Sequence, residues 1–119
     1  MSKVDDAQKI DQHLLDAAGA CGQAVVRRAV YGVTQGPRLE TAAEIDRLER
    51  DGCDIVGMTA MPEAALAREL SMEYASLSLV VNPAAGRSDK LITMDDIHAV
   101  IDDGMGRLRN ILAEAIGRL

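Results

Sequence analysis

A chain of 119 residues suits one small domain, and folding at this size buries somewhat over ~60% of the surface that the unfolded chain exposes. Hydrophobic residues make up 48% of the sequence, which is enough for a core and argues against a disordered chain. A net charge of -6 and an aromatic content of 2% argue against nucleic acid as a partner, because phosphate backbones attract cationic surfaces and unpaired bases need stacking rings.

The first half of the chain alternates between helical and strand-like patterns. Apolar side chains recur on one face of residues 6–20, which predicts an amphipathic helix. Residues 24–33 are rich in β-branched side chains and predict a strand, which ends at the Gly36-Pro37 turn. The segment Thr41–Glu44 has the pattern of a capping box, which predicts a helix that begins there and ends near Gly52.

The second half continues this alternation. Residues 54–58 predict a short buried strand, and the proline at the start of 62–70 suits the first turn of a helix. The nearly continuous apolar run 74–81 predicts a central strand covered on both faces. A polar loop over 82–90 precedes a second capping box, which starts the longest predicted helix, 93–118.

The order of these elements predicts the fold class. Strands that alternate with helices indicate an α/β fold with a mostly parallel sheet and right-handed crossovers. No internal repeat or linker divides the chain, so we predict a single domain over residues 1–119.

The N-terminus and the cysteines bear on localisation. Residues 1–6 have no apolar core of a signal peptide, and no apolar run is long enough to span a bilayer. Cys21 and Cys53 are too far apart for a CxxC motif and are interpreted as reduced, partly buried thiols. We therefore predict a cytoplasmic protein.

Each predicted strand is followed by residues that suit a ligand site. The carboxyl ends of parallel strands meet at one edge of the sheet, where α/β folds bind ligands. Considered alone, Glu40 is a solvated acid before a helix and Asn82 a turn residue. Met58 is likewise typical of a core and Thr59 of a helix cap, so the residues alone leave both interpretations open.

Three segments resemble the C-terminal half of the purine nucleoside phosphorylases, in the branch that acts on 5′-methylthionucleosides such as 5′-methylthioadenosine. They are Gly36–Thr41 (GPRLET), Val56–Glu63 (VGMTAMPE) and Val80–Gly86 (VVNPAAG). The resemblance implies a three-layer fold with flanking helices. It also implies phosphorolysis of a 5′-methylthionucleoside, with phosphate as co-substrate and no metal or other cofactor.

The resemblance also implies roles for individual residues. Glu40 would face the purine N1–H and Leu39 the face of the base, with Glu40 and Asn82 as the catalytic pair. Met58 would pack on the ribose, and the hydroxyl of Thr59 would contact phosphate. Asn82 would donate to O6 or N7 of the base. Arg38 is interpreted as structural.

The identity of residue 82 bears on the base. Family members for 6-aminopurines are expected to have Asp here and again two residues later, where this chain has Asn82 and Ala84. Because Glu40 would meet a lone pair at N1 of a 6-aminopurine, the pair Glu40 and Asn82 predicts a hypoxanthine-type base. The implied reaction converts 5′-methylthioinosine to hypoxanthine and 5-methylthioribose 1-phosphate.

The start of the last predicted helix corresponds to the family's pocket for the 5′ substituent. Met94 and Ile97 would suit an apolar methylthio group. His98 could instead approach a 5′ hydroxyl, which would favour inosine or guanosine, or it could be an ordinary surface residue.

The resemblance covers less than half of a family member. The family's N-terminal half brings a Gly-rich phosphate loop that this sequence does not contain. The alternative hypothesis is therefore a non-catalytic remnant or a nucleoside- or partner-binding module; a lesser alternative is a phosphorylase for methylthioadenosine, inosine or guanosine. Members of this branch are typically trimers, which implies a homo-oligomer.

Overall fold

The computed structural model describes residues 3–119, with side chains from Lys9 onward. Met1 and Ser2, which belong to the segment interpreted as lacking a signal peptide, lie outside the described residues. The described chain folds into four helices and two strands. In chain order they are α1 (Lys3–Ala20), β1 (Tyr31–Val33), α2 (Ala42–Arg50), β2 (Ile55–Gly57), α3 (Glu63–Glu69) and α4 (Met94–Ile116).

Strands β1 and β2 pair in parallel, with Tyr31 opposite Ile55 and Val33 opposite Gly57. Helix α2 lies between them in sequence, as the predicted strand–helix–strand order requires. The predicted strand over 24–33 forms only at its last three residues. The partial α/β fold with a parallel sheet is therefore confirmed, with shorter strands than the sequence predicts.

The predicted central strand over 74–81 is wrong: these residues belong to no strand or helix. Residues 75, 77, 79 and 81 are half-buried, whereas Ser76, Ser78 and Val80 are exposed, which is the two-residue alternation of a strand. No backbone–backbone hydrogen bond joins residues 73–81 to another described residue. A strand is defined by pairing, and within residues 3–119 this segment has no neighbouring strand.

The core lies between the first and last helices. Ala17 and Ala18 of α1 pack with Ile111 and Ala115 of α4, and Leu77 packs against this cluster. Small side chains let two helix backbones approach closely, which explains why α1 and α4 form the main helix–helix contact of the described chain. The core is thin, because no large side chain among residues 9–119 is fully buried.

Both predicted capping boxes are confirmed. Thr41 caps α2 with Glu44, and Thr93 caps α4 with Asp96; in each pair the side chain of one residue bonds the backbone N–H of the other. Pro62 precedes α3 without a side-chain cap. None of the helices within residues 3–119 has the length and apolar character needed to cross a bilayer.

Candidate functional site

The loops that follow β1 and β2 start side by side because the two strands are parallel. The backbone N–H of Thr34 donates to the carbonyl of Gly57 at 2.9 Å and so extends the sheet by one residue. Residues 34–41 and 58–62 therefore leave the same edge of the sheet. The predicted placement of two loops at one edge is confirmed for this strand pair.

Glu40 is half-buried in the loop after β1 and accepts a hydrogen bond from the hydroxyl of Thr34 to its Oε1. It lines a cleft of about 260 Å³ between the end of β1 and helix α2. The lining consists of Val33, Thr34, Gln35, Arg38, Glu40, Glu44, Arg47 and Leu48. This cleft contains Glu40 but not the other predicted catalytic residue, Asn82.

Arg38 lies in the same loop but is bound to Glu44. Two guanidinium nitrogens of Arg38 donate to the two carboxylate oxygens of Glu44, at 2.9 and 2.7 Å. This bidentate pair and the hydrogen bonds from Thr41 lower the pKa of Glu44 to about 2, and the pKa of Arg38 is raised by the same pairing. Arg38 thus ties its loop to the cap of α2, which agrees with a structural role.

Met58 and Thr59 begin the loop after β2. The sulfur of Met58 lies so close to Gly36 that a Cβ built on Gly36 would be 2.7 Å from it, so the two loops pack together through this glycine. The hydroxyl of Tyr31 is 3.5 Å from Oγ1 of Thr59, at the limit of a hydrogen bond. The Tyr31 ring crosses Gly57, where an added Cβ would be only 2.1 Å from the phenolic oxygen.

The loop that contains Asn82 is attached to α2. A Cβ on Gly86 would lie 2.8 Å from the Cβ of Ala42, and Arg87 forms ion pairs with Asp46, at 2.9 Å, and with Glu49. These pairs raise the pKa of Arg87. All three loops are therefore attached to the same β1–α2–β2 unit.

Asn82 itself is half-buried and turned toward its own backbone. Its Nδ2 donates to the carbonyl of Pro83 at 2.8 Å. A carboxamide has two N–H groups and an oxygen, so one donor remains for a ligand. No hydrogen bond links Asn82 to Glu40 in the described chain.

The residues predicted to form the pocket for the 5′ substituent lie at the start of α4. Met94 and His98 are exposed and Ile97 is half-buried. Within residues 9–119 no hydrogen bond or ion pair joins them to Glu40, and α4 packs mainly on α1. Leu39, predicted to face the base, is 75% exposed. The roles of these four residues stay predictions.

Two residues that sequence reasoning did not select contact the predicted site. Tyr31 reaches Thr59 from across β2, and Arg87 holds the Asn82 loop. The only signal for Tyr31 was its rarity, since the chain has two Tyr and no Phe or Trp. In the described part of the chain, no group of three His, Cys, Asp or Glu residues is arranged to hold a metal ion.

The sequence pattern of the phosphorylase superfamily matches residues 4–117. The chain belongs to the phosphorylase superfamily. This membership agrees with the parallel strand pair and with the predicted resemblance to nucleoside phosphorylases.

Two curated relatives carry the same name. The chain is 63% identical over 103 residues to a probable S-methyl-5′-thioinosine phosphorylase of Pseudomonas syringae pv. tomato, which covers 87% of this chain and 42% of the relative. It is 64% identical over 85 residues to a protein of that name in Xylella fastidiosa, covering 71% of this chain and 34% of the relative. The chain thus spans less than half the length of these relatives.

A solved structure shows the same fold. The methylthioadenosine phosphorylase of Schistosoma mansoni, in complex with adenine, superposes with a TM-score of 0.85 at 26% sequence identity. The match covers 92% of this chain and 44% of that chain. The architecture described above is therefore part of the nucleoside phosphorylase fold.

Proposed function

We propose that this chain carries out, or forms the base-side part of an enzyme that carries out, the phosphorolysis of 5′-methylthioinosine to hypoxanthine and 5-methylthioribose 1-phosphate. The 63% identity to a probable S-methyl-5′-thioinosine phosphorylase carries this proposal. An alignment of 103 among 119 residues has to include the central part of the chain, and hence all three loops with Glu40, Thr59 and Asn82. An alignment that includes these loops at this overall identity supports the same substrate class.

In the proposed reaction the bond between ribose C1′ and purine N9 breaks, and its electron pair leaves with the base. A phosphate oxygen forms the new bond to C1′, and the departing purine takes up one proton. Donors placed on the purine stabilise the charge that it gains. The free N–H of Asn82 supplies such a donor at O6 or N7, and Glu40 accepts from N1–H.

Phosphate is proposed to bind beside Thr59 as co-substrate, with no other cofactor. The hydroxyls of Thr59 and Tyr31 lie 3.5 Å apart, so both can donate to one oxyanion. Met58 would contact the ribose between the first two loops, since its sulfur lies against Gly36. Leu39, Met94, Ile97 and His98 complete the proposed substrate-binding set.

A second candidate is a purine-binding module without catalysis. The observation that favours it is the coverage, since the chain matches only 42% of its relative's length. A lesser candidate is a methylthioadenosine phosphorylase, the activity named for the Schistosoma structure. Glu40 disfavours that candidate, because its carboxylate would face the lone pair at N1 of a 6-aminopurine instead of an N–H donor.

The proposed setting is a cytoplasmic homo-oligomer, with a trimer as the specific arrangement. Support comes from residues 73–81, whose backbone pairs with no other described residue, and from exposed apolar side chains, among them Val26 and Leu91 at 86% and 91% exposure. Unpaired strand-like backbone and apolar surface both favour association with another protein chain.

The test is to incubate the purified chain with 5′-methylthioinosine, with and without phosphate, and to follow hypoxanthine release. Catalysis by this chain predicts release that requires phosphate and is faster than adenine release from 5′-methylthioadenosine. Absence of release from a folded chain that still binds hypoxanthine would establish the second candidate. Release that proceeds equally without phosphate would contradict phosphorolysis.

A further inference from the structure

Thr34 connects the sheet to the carboxylate that is proposed to read the purine. Its hydroxyl donates to Oε1 of Glu40, six residues further along the chain. Both side chains are half-buried. A hydroxyl that donates to a carboxylate oxygen restricts the directions in which that carboxylate can point.

The position of Thr34 is itself fixed by the strand pair. Its backbone N–H donates to the carbonyl of Gly57 at 2.9 Å, directly after the paired residues Val33 and Gly57. The β-branched side chain has few accessible rotamers. Its hydroxyl is 3.5 Å from the same carbonyl, a longer contact, so its single proton is used for Glu40. Thr34 therefore transmits the geometry of the sheet to Glu40.

The second carboxylate oxygen of Glu40 has no hydrogen-bond partner among residues 9–119. The cation nearest in the loop, Arg38, is held bidentately by Glu44 and does not pair with Glu40. Glu44 is in turn fixed by the cap of α2, where it accepts from Thr41 N–H at 2.7 Å. Glu40 thus keeps one oxygen bound and one oxygen free in the cleft.

We propose that Thr34 is a positioning residue, which holds one oxygen of Glu40 so that the other accepts the N1–H of a 6-oxopurine. The inference rests on the proposed function for the choice of ligand, but not for the positioning itself. Without the hydroxyl, Glu40 samples several rotamers, and the preference for an N1–H donor over an N1 lone pair weakens.

The test compares Thr34→Val, which keeps the shape and removes the donor, with Thr34→Ser, which keeps the donor. Side-chain three-bond couplings of Glu40, measured by NMR on the labelled full chain, report its rotamers without any ligand. Restricted couplings in the wild type and in Thr34→Ser, with averaged couplings in Thr34→Val, are expected. Equal couplings in the wild type and in Thr34→Val would overturn the positioning role. Thr34→Ala is the second donor-free variant if Thr34→Val does not fold.

Binding of hypoxanthine and of adenine to the same proteins gives the second readout. Thr34→Val should weaken hypoxanthine binding roughly tenfold and leave adenine binding nearly unchanged, since one positioned hydrogen bond is lost. Thr34→Ser should restore the preference. An equal loss for both bases would overturn the specificity role. A wild-type chain with restricted Glu40 couplings but no hypoxanthine binding would overturn the proposed function while supporting the positioning.

Discussion

Glu40 lies in the loop after β1, and Asn82 follows the segment 74–81. Both side chains have unused hydrogen-bonding capacity. Glu40 has one oxygen bound by Thr34, and Asn82 has one N–H bound by the carbonyl of Pro83. Glu40 therefore offers its second oxygen as an acceptor, and Asn82 offers one N–H as a donor and its amide oxygen as an acceptor. Hypoxanthine presents the complementary pair, a donor at N1 and acceptors at O6 and N7.

The substitution Asn82→Asp tests this complementarity. An aspartate at residue 82 accepts from a 6-amino group and repels a 6-oxo group, so the preference should move toward adenine. A shift of about tenfold or more is expected from one mismatched polar group. The ratio of hypoxanthine to adenine affinity, measured by calorimetry, reports it. An unchanged ratio in a folded variant would rule out the assigned role of Asn82.

At the scale of elements, the cap of α2 depends on the charge of Glu44. Its pKa of about 2 lies below its ordinary value of 4.5, because Arg38 and then Thr41 donate hydrogen bonds to the ionised carboxylate. A lowered pKa in the folded state means that the stabilisation is complete above the unfolded value. It is lost as the pH falls from about 4.5 toward 2.

The substitution Glu44→Gln should therefore reduce stability at neutral pH and have less effect near pH 2. Urea unfolding of the wild type and the variant between pH 7 and pH 2 measures this difference. Asp96→Asn, at the cap of α4, is the matched comparison. It should show the same pH trend, because hydrogen bonds from Thr93 lower the pKa of Asp96 in the same direction. A Glu44→Gln effect that is constant across this range would contradict the assignment.

Two glycines of α4 differ in their surroundings. A Cβ on Gly104 would lie 2.6 Å from a methyl group of Leu79, whereas a Cβ on Gly106 would meet nothing within 4 Å. Gly104 is buried, and because it has no side chain Leu79 can lie against the helix. Gly106 has no such role in the described chain.

The matched pair Gly104→Ala and Gly106→Ala should consequently have unequal effects on stability. Alanine at 106 removes the entropic disadvantage of glycine in a helix and should stabilise the fold by about 0.5–1 kcal/mol. Alanine at 104 should gain less or destabilise, because Leu79 has to move. Thermal unfolding of the two variants compares them directly. Equal stabilisation by both would show that Leu79 does not pack on α4 as described.

The local elements were predictable from the sequence, and the long-range contacts were not. The capping boxes at Thr41 and Thr93 depend on residues three positions apart, so the pattern alone determined them. The contact between Tyr31 and Thr59 joins residues 28 positions apart and had no local signal. The segment 74–81 has the composition of a strand, but pairing depends on partners that no local pattern specifies.

The whole molecule is less compact than an independent domain of its length. Its radius of gyration is 15.8 Å, whereas a domain of this size is expected near ~13.5 Å. The core between α1 and α4 is thin, and the backbone of residues 73–81 pairs with no other described residue. Both features agree with the low compactness. We expect the chain to associate with itself or with a longer phosphorylase chain, which sedimentation at several concentrations would detect as a mass above 12.7 kDa. A monomer at every concentration would contradict this expectation.

We propose that the three loops form one purine site that selects a 6-oxopurine. The most direct measurement is a titration of the isotopically labelled chain with hypoxanthine and, separately, with adenine, followed through backbone amide shifts. We expect shifts concentrated at residues 34–41, 58–59 and 82–86, with hypoxanthine binding more tightly than adenine. Shifts confined to other parts of the chain, or equal affinity for the two bases, would contradict it.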